Sequence, residues 1–361
     1  MNGSLIFAPK LRCMANKIKT AIASFGMSGL VFHGPLLKVN AGYEVVQVFE
    51  RSKNNSREMF PNAQIVRKYE DILQNPEVEL VVVNTPDFLH FEMVKEALLA
   101  GKHVIVEKPV TKKSTEAAEL LKIAKENNVV FTVFQNRRWD GDFLTVKKVL
   151  KEGKLGRLVE FESHYDRYRA SIVPDTWKEE GDEYSGVLHN LGSHMVDQVY
   201  VLFGKPISVT AFLKIQRTDG KVYDYYNIRL EYKDFTAILR STYLAKNPGP
   251  RYSIFGEKGT FHKWEIDPQE EMLKEGHMPD ELNWGKEPEK IWGSLVYEND
   301  GVDYNEAVET IPGNYNAVYN NLYDVIRNGA MLEVKPEQSI EVLKILETCL
   351  ESNRLKKTIS I

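Results

Sequence analysis

Two cysteines in 361 residues, Cys13 and Cys349, are too few for a disulfide framework or a Cys-x-x-Cys metal ribbon, which points to a reducing, cytoplasmic setting. No run approaches the roughly 18 apolar residues that a membrane span needs, so no membrane partner is expected. Lys and Arg form no cluster and the formal net charge is -4, which leaves no electrostatic footprint for nucleic acid. His164, His189, His194, Asp166 and Asp197 fall into no H-x-x-x-H or H-E-x-x-H spacing, so no metal site is expected. Residues 1–16 lack the long apolar region and small-residue cleavage site of a secretory signal and read as a tail, with Met14 opening a more natural start, MANKIKTAIA. There is no internal repeat and no low-complexity segment.

What is present is an ordinary globular composition, 43% apolar and 27% charged, in a chain long enough for two domains. The stretch IKTAIASFGMSGLVFHGP runs from an apolar strand through a glycine-bearing turn into a helical pattern over 30–39. Ser24, Gly26 and Gly29 occupy the three glycine positions of G-x-G-x-x-G, the first as serine. Gly26 would let backbone approach a pyrophosphate, with Met27 and Ser28 beside it, and Gly29 would let the helix pack on its strand. Strands over 43–49, 80–83, 103–106 and 129–134 alternate with helices over 90–100 and 114–127, the pattern of parallel βαβ units in a doubly wound α/β sheet. The expected nucleotide-binding domain spans 17–137.

From about residue 142 the pattern changes. A helix over 142–152, a period-two strand over 158–167 and a helix over 190–203 precede consecutive strands over 207–216, 222–232 and 235–243. Residues 267–298 read as loops and short helices, and 315–328 and 337–352 as closing helices. This predicts an α+β domain over 138–361 with a large, mainly antiparallel open sheet. Tyr225, Ile228, Leu230, Ile238 and Leu239 give its strands more apolar surface than a lone solvated face should carry, so a homodimer or homotetramer through the sheet is expected.

Ligands of such a sheet bind at the carboxyl ends of its strands. Three ends converge there: Ser24 to Gly29, Asn84-Thr85-Pro86 with His90, and Glu107-Lys108-Pro109. Lys108 could bind a substrate's reacting oxygen, or could merely neutralise Glu107. In GVLHNLGSHMVDQ, a helix begun near Asn190 would put Asn190 and His194 on one face. His194 could then serve as a general acid or base, or be a satisfied core histidine. At the end of the second strand, Glu50 stands where an acid accepts the ribose hydroxyls of NAD, while Arg51 and Ser52 are types that bind the 2′-phosphate of NADP.

Through FGMSGLVFHGP, NTPDFLH, AGKHVIVEKP, QNRRWDGDFLT, NLGSHMVDQ and GPRY, the chain from about residue 17 resembles the Gfo/Idh/MocA oxidoreductases. The resemblance implies an NAD(P)-dependent enzyme of sugars or cyclic polyols, with NADP slightly preferred. It implies catalysis by the EKP lysine, here Lys108, and by a D-x-x-x-H pair in which His194 is the histidine and Asn190 replaces the aspartate. An amide cannot supply the negative charge that would raise a histidine pKa. The resemblance also implies that Asn84, Thr85, Pro86 and His90 line the cofactor, that Glu107 and Lys108 flank its nicotinamide, and that Gln135, Asn136 and Arg138 lie between cofactor and substrate. Tyr165, Arg167, Tyr168, Trp177 and His189 are candidates for the substrate pocket. A non-catalytic cofactor-binding regulator and an NAD-assisted glycosidase are the alternatives on this fold.

Overall fold

The computed structural model describes residues 16–173, 176 and 179–361, so Cys13, Trp177 and most of the expected tail lie outside the described residues. The first half forms a six-stranded parallel sheet of β1 (Ile18–Ile22), β2 (Tyr43–Phe49), β3 (Gln64–Val66), β4 (Leu80–Val83), β5 (His103–Val106) and β6 (Phe131–Val133). Their order, 3-2-1-4-5-6, reverses between β1 and β4, so the crevice for a ligand opens at the carboxyl ends of those two strands. β4 reads LVVV and is buried throughout, as a strand covered by helices on both faces must be. β3 and the short helix Glu70–Gln74 were not foreseen, because three residues of strand carry too little periodicity to stand out.

The second half builds a nine-stranded sheet from β7 (Leu158–His164), β8 (Ser208–Lys214), β9 (Tyr225–Glu231), β10 (Thr236–Thr242), β11 (Tyr252–Gly256), β12 (Gly259–Lys263), β13 (Gly293–Asn299), β14 (Val302–Val308) and β15 (Ile359–Ser360). Its order is 14-13-12-11-7-10-9-8-15, and every described pair is antiparallel except β7 with β10, which run parallel. β13 begins inside the segment expected to be loops and short helices. Its outward residues Ser294, Val296 and Glu298 dilute the apolar signal, and the hairpin to β14 has both strands largely exposed.

The apolar residues of the strands do not all face a partner. Ile228, Leu230 and Leu239 are fully buried and face inward, against the helices Ser193–Phe203 and Pro336–Leu355 of the same chain. The opposite face carries a row reading Thr210, Arg229, Ile238, Glu162, Ser253 and His262 across five strand pairings, which is mostly polar. Of the apolar residues behind that expectation, Ile228, Leu230 and Leu239 are thus consumed within the chain.

Helix Pro336–Leu355 ties the two sheets together. Glu347 accepts from the amide and hydroxyl of Ser114 at 2.7 and 2.8 Å, capping the helix Ser114–Glu126 of the first domain. Further along, Ser352 and Asn353 accept from the amides of Ala211 and Leu213 in β8, satisfying edge groups that the short β15 leaves unpaired. No helix among the described residues is long and apolar enough to cross a membrane.

Candidate active site

At the mouth of β1 the glycines act by what they exclude. A side chain at Gly29 would come within 2.4 Å of the Ser24 carbonyl oxygen, so only hydrogen lets the next segment pack there, whereas a Cβ at Gly26 would meet nothing nearer than Ser24 Oγ at 3.8 Å. Gly26 therefore lines open space, with Met27 exposed beside it. The expected helix over 30–39 is a wide turn, Gly29–His33, followed by the α-helix Gly34–Val39. Asn84 donates to the Ser24 carbonyl at 2.8 Å and so fixes the two strand ends against each other. Its Oδ1, Thr85 Oγ1 and Gln135 Oε1 are buried without a hydrogen-bond partner. Buried polar atoms are rarely left so, and an open glycine beside three orphaned acceptors fits a polar dinucleotide.

Glu107 anchors the next strand end. Its Oε1 accepts from Ser28 Oγ at 2.6 Å and contacts His33 Nε2 at 3.2 Å, and His33 Nδ1 lies 2.7 Å from the hydroxyl of Tyr319. Burial alone would raise the Glu107 pKa, but the His33 and Ser28 hydrogen bonds and the Lys108 charge outweigh it and hold the carboxyl at about 2. Glu107 is thus an ionised post on which the glycine turn hangs. His33 and Tyr319 were missed; the only sequence signal was a histidine inside an apolar helix start.

The Glu107 carboxylate accepts from the backbone amide of Lys108 at 3.1 Å, while the ammonium reaches further. Nζ donates to the carbonyl oxygen of Asn190 at 2.8 Å and to its Oδ1 at 3.1 Å. The chain around Asn190 is a wide turn, Leu188–Gly192, running into the α-helix Ser193–Phe203, so the single helix expected over 190–203 is two pieces in different register. Such bulges recur at functional sites because they re-aim main-chain groups.

His194 is the second residue of the α-helical piece and is buried, with Nδ1 lacking a partner. Burial pushes its pKa well below the usual histidine value, and the positive charges of Lys108, Arg137, Arg167 and Arg251 push it further. Asn190 offers no counter-charge. His189 is likewise buried, with neither ring nitrogen partnered, and burial lowers it to about 4.

Three expected cofactor contacts are committed elsewhere. Glu50 is buried, and its carboxylate accepts from the amides of Asn55 and Ser56 at 2.8 and 3.0 Å and from Ser56 Oγ at 2.6 Å, closing the start of the short helix Ser56–Met59. Arg51 and Ser52 are left exposed at the strand end. Arg138 is buried in a bidentate pair with Asp197, at 2.7 and 2.6 Å, and also donates to the Glu333 carbonyl and Gln338. His90 places its two nitrogens 2.8 and 2.9 Å from the carbonyls of Pro109 and Thr85. Each holds a loop in place, a job that spacing alone does not reveal.

On the substrate side, Asn136 and Tyr165 are buried, Arg167 is half-buried and Tyr168 is exposed. Pro86 is half-buried at the loop after β4. Sequence reasoning passed over Arg137 and Arg251, whose guanidiniums lie 5.2 and 4.9 Å from the Tyr165 ring centre. Arg137 pairs with Asp140 and Glu270, and Arg251 lies 3.4 Å from Asp142. The NRRWDGD run is thus mostly a buried joint. Among the described residues no group of His, Cys, Asp or Glu is placed to hold a metal ion.

Two family models match this arrangement: the oxidoreductase family NAD-binding Rossmann fold over residues 18–135, and the C-terminal alpha/beta domain of the same family over 147–361. The chain belongs to the Gfo/Idh/MocA oxidoreductases. Among its relatives, scyllo-inositol 2-dehydrogenase (NADP(+)) IolW of Bacillus subtilis is 38% identical over 352 residues, covering 98% of each chain. The uncharacterized oxidoreductase YdgJ of Escherichia coli is 35% identical, covering 96% of this chain and all of its own. The solved structure of yvaA from Bacillus subtilis superposes with a TM-score of 0.94 at 37% identity, over 97% of this chain and 100% of that one. An oxidoreductase from Bacillus cereus gives 0.87 at 32% identity, over 95% and 98%.

Proposed function

We propose that this enzyme interconverts a hydroxyl and a ketone on a sugar or cyclic polyol, with Lys108, Asn190 and His194 at the reacting centre. The observation that carries the reading is the Lys108 ammonium held on both oxygens of Asn190 in the crevice, with the neutral, partly unpartnered His194 close enough to feel its charge. Nicotinamide, when bound, supplies the acceptor or donor of hydride. Lys108 binds and polarises the reacting oxygen, and His194 takes the hydroxyl proton in oxidation and returns it in reduction. Asn190 aims Lys108. Ser24, Gly26, Met27, Ser28, Gly29, Asn84, Thr85, Pro86 and Gln135 would hold the dinucleotide. With the Glu50 carboxylate buried and accepting three hydrogen bonds from Asn55 and Ser56, and Arg51 and Ser52 exposed, the adenosine end favours a 2′-phosphate, hence NADP, in line with the printed name of the Bacillus relative.

The test is NADPH formation from a panel of inositols and aldoses by the wild type, Lys108→Ala and His194→Ala. Turnover in the wild type with a loss of 10²-fold or more in each variant is expected; undiminished turnover in the variants would refute the assignment. The uncharged Asn190 favours a second reading, a cofactor-binding regulator. Tight NADP binding with no turnover on any member of the panel would select it, and sugar release from a nitrophenyl glycoside without net NADPH would indicate a glycosidase.

A further inference from the structure

Past the end of β7 the backbone keeps the edge of β10, with Tyr165 and Arg167 donating their amides to the carbonyls of Arg240 and Thr242 at 2.9 Å each. Strand alternation then turns Tyr165 and Arg167 to one side, the side of His194. Tyr165 is fully buried and its hydroxyl has no partner. Its ring lies among three guanidiniums, those of Arg167 at 4.8 Å, Arg251 at 4.9 Å and Arg137 at 5.2 Å.

Two of the three cations are answered. Arg137 has Asp140 and Glu270, and Arg251 has Asp142, together with Ser163, Gln198 and the His164 carbonyl. Arg167 differs. Its charge is felt by the Glu270 carboxylate, but among the described residues no carboxylate lies within 4 Å of its guanidinium and its side chain donates no hydrogen bond, although it is half-buried. The π-face of Tyr165 holds the guanidinium plane but offers no counter-charge. Removing a charge from water without a partner is costly, and a guanidinium fork kept open beside reacting groups is the shape that takes a carboxylate or phosphate through two parallel hydrogen bonds.

We propose that the substrate is an anionic polyol, a sugar acid or a sugar phosphate, whose oxyanion is bound by Arg167 while its reacting carbon lies at Lys108 and His194. This rests on the oxidoreductase reading above and names its substrate class. Tyr165 is the positioning residue, fixing the plane in which Arg167 presents its donors.

Matched pairs decide it: NADP-linked oxidation of glucose against glucuronate, galactose against galacturonate, and inositol and glucose against their monophosphates, at low and high salt. The wild type is expected to favour at least one anionic member over its neutral partner by roughly 10- to 100-fold in kcat/KM, the range of a charge-assisted hydrogen bond, with the preference falling as salt rises. Arg167→Gln should abolish the preference through KM and Arg167→Lys should keep part of it, which a merely structural residue would not do. The carboxylate and phosphate arms separate the two sources of charge. Neutral members turned over as well as or better than their acids, or a preference unchanged in Arg167→Gln, would overturn the inference and leave the oxidoreductase reading standing. No turnover of any member would overturn both.

Discussion

The pair Arg138–Asp197 sets the hardest test of the division between residues that hold the site and residues that work in it. All four described hydrogen bonds of the Arg138 side chain go to protein: two to Asp197, one to the Glu333 carbonyl and one to Gln338. Both members of the ion pair are almost wholly buried. Asp197→Asn leaves the guanidinium buried without its counter-ion, which costs about 3–5 kcal/mol. At roughly 2.1 cal/mol/K per residue for the unfolding entropy, a chain of 361 residues should lose about 4–7 °C in melting temperature. Removing both charges in Arg138→Met with Asp197→Leu should cost less than the two single changes together, because neither leaves an orphaned charge. Differential scanning calorimetry of wild type, Arg138→Met, Asp197→Leu and the double variant measures the coupling, with Asp197→Asn as a fifth protein, and NADP titration of each gives the cofactor affinity, expected within about threefold of wild type in every variant that folds. Asp197→Asn melting within about 1 °C of wild type, or Arg138→Met losing cofactor affinity tenfold at full stability, would refute the reasoning.

Burial holds His189 at about 4 when folded, against about 6.5 unfolded. Its contribution to stability is therefore complete above pH 6.5 and is lost as pH falls toward 4, by roughly 3 kcal/mol. Asp140 acts oppositely. Burial raises it to about 7 despite Arg137, so its contribution fades as pH rises through 7. Urea unfolding of wild type and His189→Leu across pH 4–7 isolates the histidine, because the Asp140 effect is common to both; equal pH slopes would contradict it. Arg51→Ala should raise KM for NADP by roughly tenfold with little effect on NAD, as steady-state kinetics with both cofactors will show, and an equal loss for both would remove the phosphate role. Asn190→Asp places a carboxylate against the Lys108 ammonium and near His194, so the acidic limb of the kcat/KM profile should move up by about one pH unit, and an unmoved limb would separate Asn190 from His194.

Much of the fold was legible because parallel strands buried on both faces advertise themselves: LVVV in β4 and HVIV in β5 needed no context. β3 is too short to signal, and β13 and β14 alternate on a largely exposed hairpin, so their pattern resembled loop. As a candidate, Lys108 was legible because it follows the end of a buried strand with no evident structural duty, and Asn190, whose oxygens its ammonium meets, was already suspect. What could not be read was commitment. Glu50, Arg138 and His90 are the right types near the right strand ends, yet their hydrogen bonds go to residues from 5 to 200 positions away along the chain. Arg167 shows the reverse, since its significance lies in the lack of a carboxylate within ion-pair distance among the described residues.

The central claim is transfer of hydride from a substrate carbinol carbon at Lys108 and His194, and isotope transfer measures it most directly. A polyol deuterated at the reacting carbon, incubated with NADP and the wild type, should yield NADPH carrying deuterium on one face of C4, with a primary isotope effect on turnover. Lys108→Met should form the label more slowly, by roughly 10²-fold or more. Reduced cofactor without deuterium, or labelling undiminished in Lys108→Met, would contradict the account.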